Sequence, residues 1–263
     1  VVDRIYEMMA KILSEAKVSY IKWDMNRSIT ECYSAKLPAD RQGEVYHRYI
    51  LGVYDLYERL TSRFPEVLFE SCSSGGGRFD PGMLYYAPQG WTSDDSDAVE
   101  RIKIQYGTSY CYPISSMGSH VSVIPNHQIN RNTPLYTRAN VAYFGTFGYE
   151  LDLNALTEEE QEEVKEQVKF MKQYRRLFQF GTFYRLRSPF DHNISAWMVV
   201  SEDKKTAIVG WYRVLNGINM PYTRLRLHGL DESILYTVSG AKSMHYGDEL
   251  MHLGMIPTDA SSG

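Results

Sequence analysis

Val18-Ser-Tyr-Ile-Lys-Trp-Asp24 is a short strand-like run that ends on a carboxylate, and it follows almost directly on Ile5, Met8, Met9, Ile12 and Leu13, which stand at helical spacing within Arg4 to Glu15. A helix that feeds straight into a strand is predicted. The unit repeats downstream. Glu44 to Phe64 reads as helix and leads through Pro65 into the strand Val67-Leu-Phe-Glu-Ser-Cys-Ser73, and a third strand is expected to end at Trp91-Thr-Ser-Asp94, before a helix from Asp97 to Tyr106. Thr108 to Ser115 is predicted as strand, Pro134 to Phe144 as helix and Thr146 to Leu153 as strand. Thr157 with Glu160 three residues on is a capping box, opening a charged amphipathic helix to Arg176.

Short strands alternating with helices imply an α/β protein built on a parallel sheet, either open or closed into a barrel. Polar clusters end the strands, at Asp24-Met-Asn26, Cys72-Ser-Ser, Ser93-Asp94-Asp95 and Ser115-Ser116. The C-terminal strand ends are where a (β/α)8 TIM barrel assembles its site. Five strands are visible and the chain opens on a helix. The expected fold is therefore an incomplete (β/α)8 barrel over residues 1–180, its C-terminal five units, with about three units missing on the N-terminal side. After Phe180-Gly181 the texture changes to Tyr184-Arg-Leu-Arg187, Ser195-Ala-Trp-Met-Val-Val200, Ala207-Ile-Val-Gly-Trp-Tyr212, Thr223-Arg-Leu-Arg-Leu227 and Ile234-Leu-Tyr-Thr-Val238, strand-like runs split by turns. Residues 181–263 are predicted as an antiparallel β-sandwich, with a polar, frayed tail at Thr258 to Gly263.

Composition narrows the function classes. At 263 residues and 43% hydrophobic, the chain can bury a substantial core without crosslinks. A formal charge of −4 gives no basic footprint for nucleic acid. Cys32, Cys72 and Cys111 form no C-x-x-C pair, and an odd count argues against a disulfide framework. No apolar run is long enough for a membrane span, and the first residues lack a basic and then apolar leader. These features point to a reducing compartment, a cytoplasmic protein and a neutral substrate, with neither nucleic acid nor membrane as partner.

On a strand, Lys22, Asp24 and Asn26 share one face while Trp23 and Met25 take the other. An ammonium beside a carboxylate favours its ionised form, which suits a nucleophile; a plain salt pair at a strand end is the alternative. Trp91-Thr-Ser-Asp94-Asp95-Ser-Asp97 marks a second strand end, where Ser93, Asp95 or Ser96 could instead cap the following helix. Asp24 and Asp94, two β/α units apart, can converge over one pocket, and glycoside hydrolysis requires such a pair with no metal or cofactor. Ser71-Cys72-Ser-Ser-Gly-Gly-Gly-Arg78-Phe-Asp80 lacks the spacing and lysine of a phosphate loop. Its glycines are expected to let backbone N–H groups approach a ligand. Cys72 has no His or base beside it in sequence, which argues against a thiol nucleophile. His120 and His127, flanking Pro125 in a loop after the next strand, are read as structural or rim residues rather than metal ligands.

Together Tyr20-Ile-Lys-Trp-Asp-Met-Asn-Arg27, Cys72-Ser-Ser-Gly-Gly-Gly-Arg-Phe-Asp80 and Trp91-Thr-Ser-Asp-Asp95 closely resemble the α-galactosidases of glycoside hydrolase family 36. The likeness continues through Gln105-Tyr-Gly-Thr108, Pro113-Ile-Ser-Ser-Met-Gly118, His120-Val-Ser122 and Tyr184-Arg-Leu-Arg-Ser-Pro189. It implies a retaining hydrolase of terminal α-galactosides such as melibiose and raffinose, with Asp24 as nucleophile and Asp94 as acid/base, Asp95 being the runner-up. It implies substrate contacts from Lys22, Trp23, Asn26, Cys72, Gly75 and Trp91, Cys72 and Gly75 crowding the 2-hydroxyl. Gly90 stands where a bulkier residue is expected, a departure that would loosen the wall at Trp91. Family members carry a large N-terminal β domain and further sugar-gripping residues on the first barrel strands, and they commonly form tetramers. The expectation is a piece of a longer protein; the alternative is a short product that completes its barrel through another chain. Galactosyl transfer of the raffinose-synthase type and a sugar-binding piece without turnover are the rival functions. The isolated chain is expected to be inactive, and truncation to expose apolar surface that favours self-association.

Overall fold

The apolar stripe that predicts the first helix forms α1, Val2–Glu15, with Ala10 and Leu13 buried. The computed structural model describes residues 1–27, 29–219, 222–239 and 243–257; the polar tail from Thr258 lies outside them. The chain divides into two compact units, Val1–Asp94 and Asp95–Gly263.

In the first unit β1 (Tyr20–Asp24), β2 (Leu68–Cys72) and β3 (Gln89–Gly90) form a parallel sheet in the order β1-β2-β3. A 3-10 turn at Ala39–Glu44 precedes α2, Val45–Arg63, and α3, Pro81–Tyr86, separates β2 from β3. Asp80 caps α3, accepting from the Met83 N–H at 3.0 Å. Leu13, Leu56, Tyr57, Leu60, Phe69 and Met83 build the core between the helices and one face of this sheet. The register sets Lys22 opposite Glu70, Asp24 opposite Cys72, and Ser71 opposite Gly90.

In the second unit α4, Ala98–Thr108, leads to β4, Gly118–Ser122, which pairs in parallel with β5, Thr146–Glu150; α5, Leu135–Ala142, lies between them. The strand expected over Thr108 to Ser115 is a misreading. Thr108 closes α4, Ile114–Ser116 is a 3-10 turn, and the strand begins only at Gly118. The β-prone Tyr110-Cys-Tyr112 is overridden because Tyr112 N–H still bonds the Thr108 carbonyl at 3.0 Å. Ser115-Ser116 therefore precedes its strand rather than ending it, and His120 stands inside β4 rather than in a loop. Gly118 and Ser122 bracket a stretch whose Val121 is fully buried. The five parallel strands thus fall into two sheets, one of three and one of two.

The capping box at Thr157 and Glu160 opens α6, Glu158–Phe180. Beyond it β6 (Thr182–Arg187), β7 (Ile194–Val200) and β8 (Ala207–Arg213) form an antiparallel sheet, and β9 (Leu235–Thr237) with β10 (Met244–Tyr246) a second. Every residue of β7 is buried. Its Trp197 and Val199 pack with residues of α4, α5 and α6, while Ala196, Met198 and Val200 pack with Leu225, Leu227, Tyr236 and Leu250. A strand covered on both faces loses the alternation that marks a half-exposed one. Thr223 to Leu227, expected as a strand, contributes only an isolated bridge from Leu225 to Met255. No helix among the described residues is long and apolar enough to cross a membrane.

Candidate active site

The polar face of the three-stranded sheet gathers most of the residues singled out by the sequence. Asn26 bridges two elements: its amide donates to Asp24 Oδ2 at 2.7 Å, and its carbonyl oxygen accepts from the Ser74 N–H at 2.7 Å. The Cys72 thiol bonds the Asp24 carboxylate from the neighbouring strand. Burial pushes that thiol above its ordinary value, and Asp24 adds to the rise, so Cys72 is a neutral donor at physiological pH rather than a nucleophile. Asp24 itself is exposed to solvent. It is thus an open carboxylate oriented by two donors.

Lys22 reaches across to β2 rather than along β1. Its Nζ stands 3.5 Å from Glu70 Oε1 and 4.6 Å from the centroid of the Trp91 ring. The expected Lys22 to Asp24 partnership is thereby corrected: the ammonium pairs with Glu70, a residue the sequence reading passed over. Glu70 is 3% exposed and also accepts from the Tyr20 hydroxyl and from Gln89 Nε2 at 3.1 Å. The available signal was the period of two on β2, which puts Glu70 and Cys72 on one face. Trp91, 4% exposed, lies beneath the ammonium.

Trp23 departs from this group. It sits on the opposite face of β1, its ring 5.1 Å from that of Tyr57 and 6.2 Å from that of Phe69. A residue one position from Asp24 on a strand must point the other way, so its place among the sugar contacts is corrected to a place in the core. On that far face Trp23, Met25, Tyr49, Val53 and Leu56 help line an apolar cleft of about 700 Å³. Its lining is mostly apolar, with Ser34, Lys36 and Arg48 among its polar members.

The glycine loop packs closely against the segment that carries Asp94. A Cβ on Gly75 would meet Ser93 Cα at 2.6 Å and Asp94 N at 2.9 Å, and one on Gly76 would meet the Thr92 oxygen at 2.8 Å. Gly75 also has a φ of +79°. The glycines let the loop lie directly on the backbone that carries Asp94, while Ser74 holds Asn26 beside Asp24. Arg78 fixes the loop from below, donating to the Met25 carbonyl, to Ser73 Oγ at 2.6 Å and to the Arg27 carbonyl at 3.2 Å. One loop therefore connects both carboxylate-bearing segments. Gly75→Ala is expected to strain the left-handed backbone by about 1 to 3 kcal/mol and to displace Asp94. The urea midpoint should fall accordingly, and an unchanged midpoint would refute the strain.

Gly90 does not loosen the wall. The Phe79 ring fills the space, 2.3 Å from where a Cβ would stand. Asp94 is exposed, whereas Asp95 Oδ1 accepts the Asp97 N–H at 3.0 Å. The cap of α4 is Asp97, whose Oδ2 accepts from Val99 and Glu100 N–H, both at 3.0 Å, and from Arg131. Asp97, not Ser93, Asp95 or Ser96, thus takes the capping role. His120 Nδ1 lies 3.4 Å from Glu150 Oε2. Among the described residues no group of three His, Cys, Asp or Glu side chains is placed to hold a metal.

Residues 1–181 match the melibiase family, and residues 194–262 match the glycosyl hydrolase family 36 C-terminal domain. The chain belongs to the melibiase family. This melibiase chain is 56% identical over 255 residues to alpha-galactosidase AgaA of Geobacillus stearothermophilus, covering 97% of the chain and 35% of that protein. It is 52% identical over 252 residues to alpha-galactosidase Mel36A of Lactobacillus acidophilus, covering 96% of the chain and 34% of that protein. The crystal structure of AgaA superposes with a TM-score of 0.95 at 56% identity, over 99% of this chain and 36% of that one. A variant of that enzyme in complex with raffinose superposes with a TM-score of 0.96 at 55% identity, again over 99% and 36%. The melibiase chain thus spans about a third of the length of the curated relatives it matches.

Proposed function

We propose that this chain supplies both catalytic carboxylates of a retaining α-galactosidase, acting on terminal non-reducing α-D-galactosides of the melibiose and raffinose type. The observation that carries the reading is the carboxylate Asp24, open to solvent and oriented by Asn26 and Cys72, joined through the Ser74-Gly75 loop to the segment bearing Asp94. Asp24 attacks the anomeric carbon while Asp94 protonates the departing glycosidic oxygen. The galactosyl-enzyme so formed has a β linkage to Asp24. Asp94, now ionised, takes a proton from water, which attacks the same carbon and releases galactose with its α configuration restored. Lys22 and Asn26 bond sugar hydroxyls, Trp91 walls the pocket, and Cys72 with Gly75 leaves no room for a 2-acetamido group. The chemistry asks for carboxyl groups about 5 to 5.5 Å apart and for no metal or cofactor.

The two parallel sheets are read as the last five strands of a (β/α)8 barrel over residues 1–180, completed by polypeptide outside this chain, with residues 181–263 as the β-sandwich. The relatives' greater length supports that reading. A cytoplasmic, homo-oligomeric enzyme, a tetramer by family likeness, completes the proposal. The full-length gene product, incubated with raffinose and followed by proton NMR, is expected to release α-galactose first, the β anomer appearing only by mutarotation. β-Galactose as first product, or no release, would refute it.

A further inference from the structure

We infer that Glu70 is a positioning residue that holds the Lys22 ammonium away from Asp24 and over the sugar-binding face, an inference that rests on the α-galactosidase reading above. Glu70 stands in the middle of β2 in register with Lys22, and is 3% exposed. A buried carboxylate is costly unless it is paired and hydrogen-bonded. Its two oxygens are divided. Oε2 takes the Tyr20 hydroxyl and Gln89 Nε2. Oε1 has no hydrogen-bond donor among the described residues and faces the Lys22 ammonium at 3.5 Å. Burial, and then the hydrogen bond to Glu70, push the Tyr20 hydroxyl above its ordinary value, so it remains a neutral donor. Glu70 is thus fixed from β1 and β3 at once, and Trp91 supports the same ammonium from below at 4.6 Å.

The alternative position for that ammonium is the reason the arrangement matters. Lys22 and Asp24 are two residues apart on one face of β1, about 7 Å along a strand, and a lysine side chain spans that distance. The titratable groups on this face of the three strands are Tyr20, Lys22, Asp24, Glu70 and Cys72. With the Glu70 charge removed, the carboxylate left on this face of the three strands is Asp24, Asp94 standing beyond the end of β3. A direct pair would occupy a nucleophile oxygen and withdraw the ammonium from the sugar hydroxyls.

Glu70→Gln, which keeps size and hydrogen-bonding capacity, tests this in the full-length gene product with an aryl α-galactoside. kcat/KM is expected to fall roughly 10- to 100-fold, as when groups that orient metal ligands are removed. The acidic limb of the pH profile should move to lower pH, because a cation drawn to Asp24 favours its ionised form. Lys22→Met added to Glu70→Gln should cost little further, since both act through one ammonium. If Glu70→Gln fails to fold, Tyr20→Phe, a change at a half-exposed ring, carries the test with a smaller shift of the limb in the same direction. A lowered melting temperature with kcat/KM and the acidic limb unchanged, or losses that add in full with Lys22→Met, would overturn the inference while the proposed function stands. A wild-type protein that releases no galactose would overturn both.

Discussion

Asp24→Ala in the full-length gene product is expected to lower kcat on an α-galactoside by about ten-thousandfold or more, the scale of loss when the group that forms the covalent intermediate is removed. The loss should be chemical rather than structural. Asp24 is exposed and contributes no core packing, so the urea midpoint should stay near that of the wild type. The variant also leaves a prepared vacancy. The Asn26 amide remains held by the Ser74 N–H, and the Cys72 thiol remains neutral on the adjacent strand. Both donors that served the carboxylate still face the space it occupied. Azide or formate at high concentration should enter there and restore turnover, azide yielding a β-galactosyl azide by a single displacement from the face Asp24 had attacked. A folded variant that hydrolyses near the wild-type rate, or one that neither anion rescues, would remove Asp24 from its role.

Residues acting within their own strand were legible, and those acting across strands were not. The period of two on Tyr20–Asp24 correctly set Lys22 apart from Trp23, although the family resemblance had put both among the sugar contacts. Glu70 escaped notice because its meaning lies in register: on β2 alone it is one acid in a strand, whereas opposite Lys22 and beside Gln89 it is the fixed end of an ion pair. The glycines of Ser73 to Gly77 were visible as a need for close approach, but what approaches is the Ser93 and Asp94 backbone, a contact between segments that no spacing rule contains. Gly90 taught the same lesson in reverse, since the ring that replaces its missing side chain comes from Phe79. The strand misplaced at Thr108 to Ser115 failed for a local reason. Its β-prone tyrosines follow a helix whose last carbonyls still recruit N–H groups as far as Tyr112, so the chain turns before it extends.

The adjacent aspartates at 94 and 95 are separable by the leaving group. Asp94→Ala is expected to slow raffinose hydrolysis by about a thousandfold, within the range general acid catalysis supplies. Raffinose departs as a poor alkoxide that must be protonated. A dinitrophenyl α-galactoside departs as a stable phenolate and needs no proton, so its first step should proceed at close to the wild-type rate, followed by slow hydrolysis of the galactosyl-enzyme that azide accelerates. Asp95→Ala should behave otherwise. Asp95 Oδ1 accepts the Asp97 N–H, and Asp97 in turn caps α4 and holds Arg131. Its loss should loosen the start of that helix, lowering stability by about 1 kcal/mol as for other lost caps, and should slow both substrates alike. The opposite pattern, with leaving-group dependence appearing in Asp95→Ala and absent from Asp94→Ala, would transfer the acid/base role to Asp95. The proposal puts the acid/base role on Asp94 because a proton shuttle must alternate between donor and acceptor toward substrate and water, while Asp95 Oδ1 accepts the Asp97 N–H.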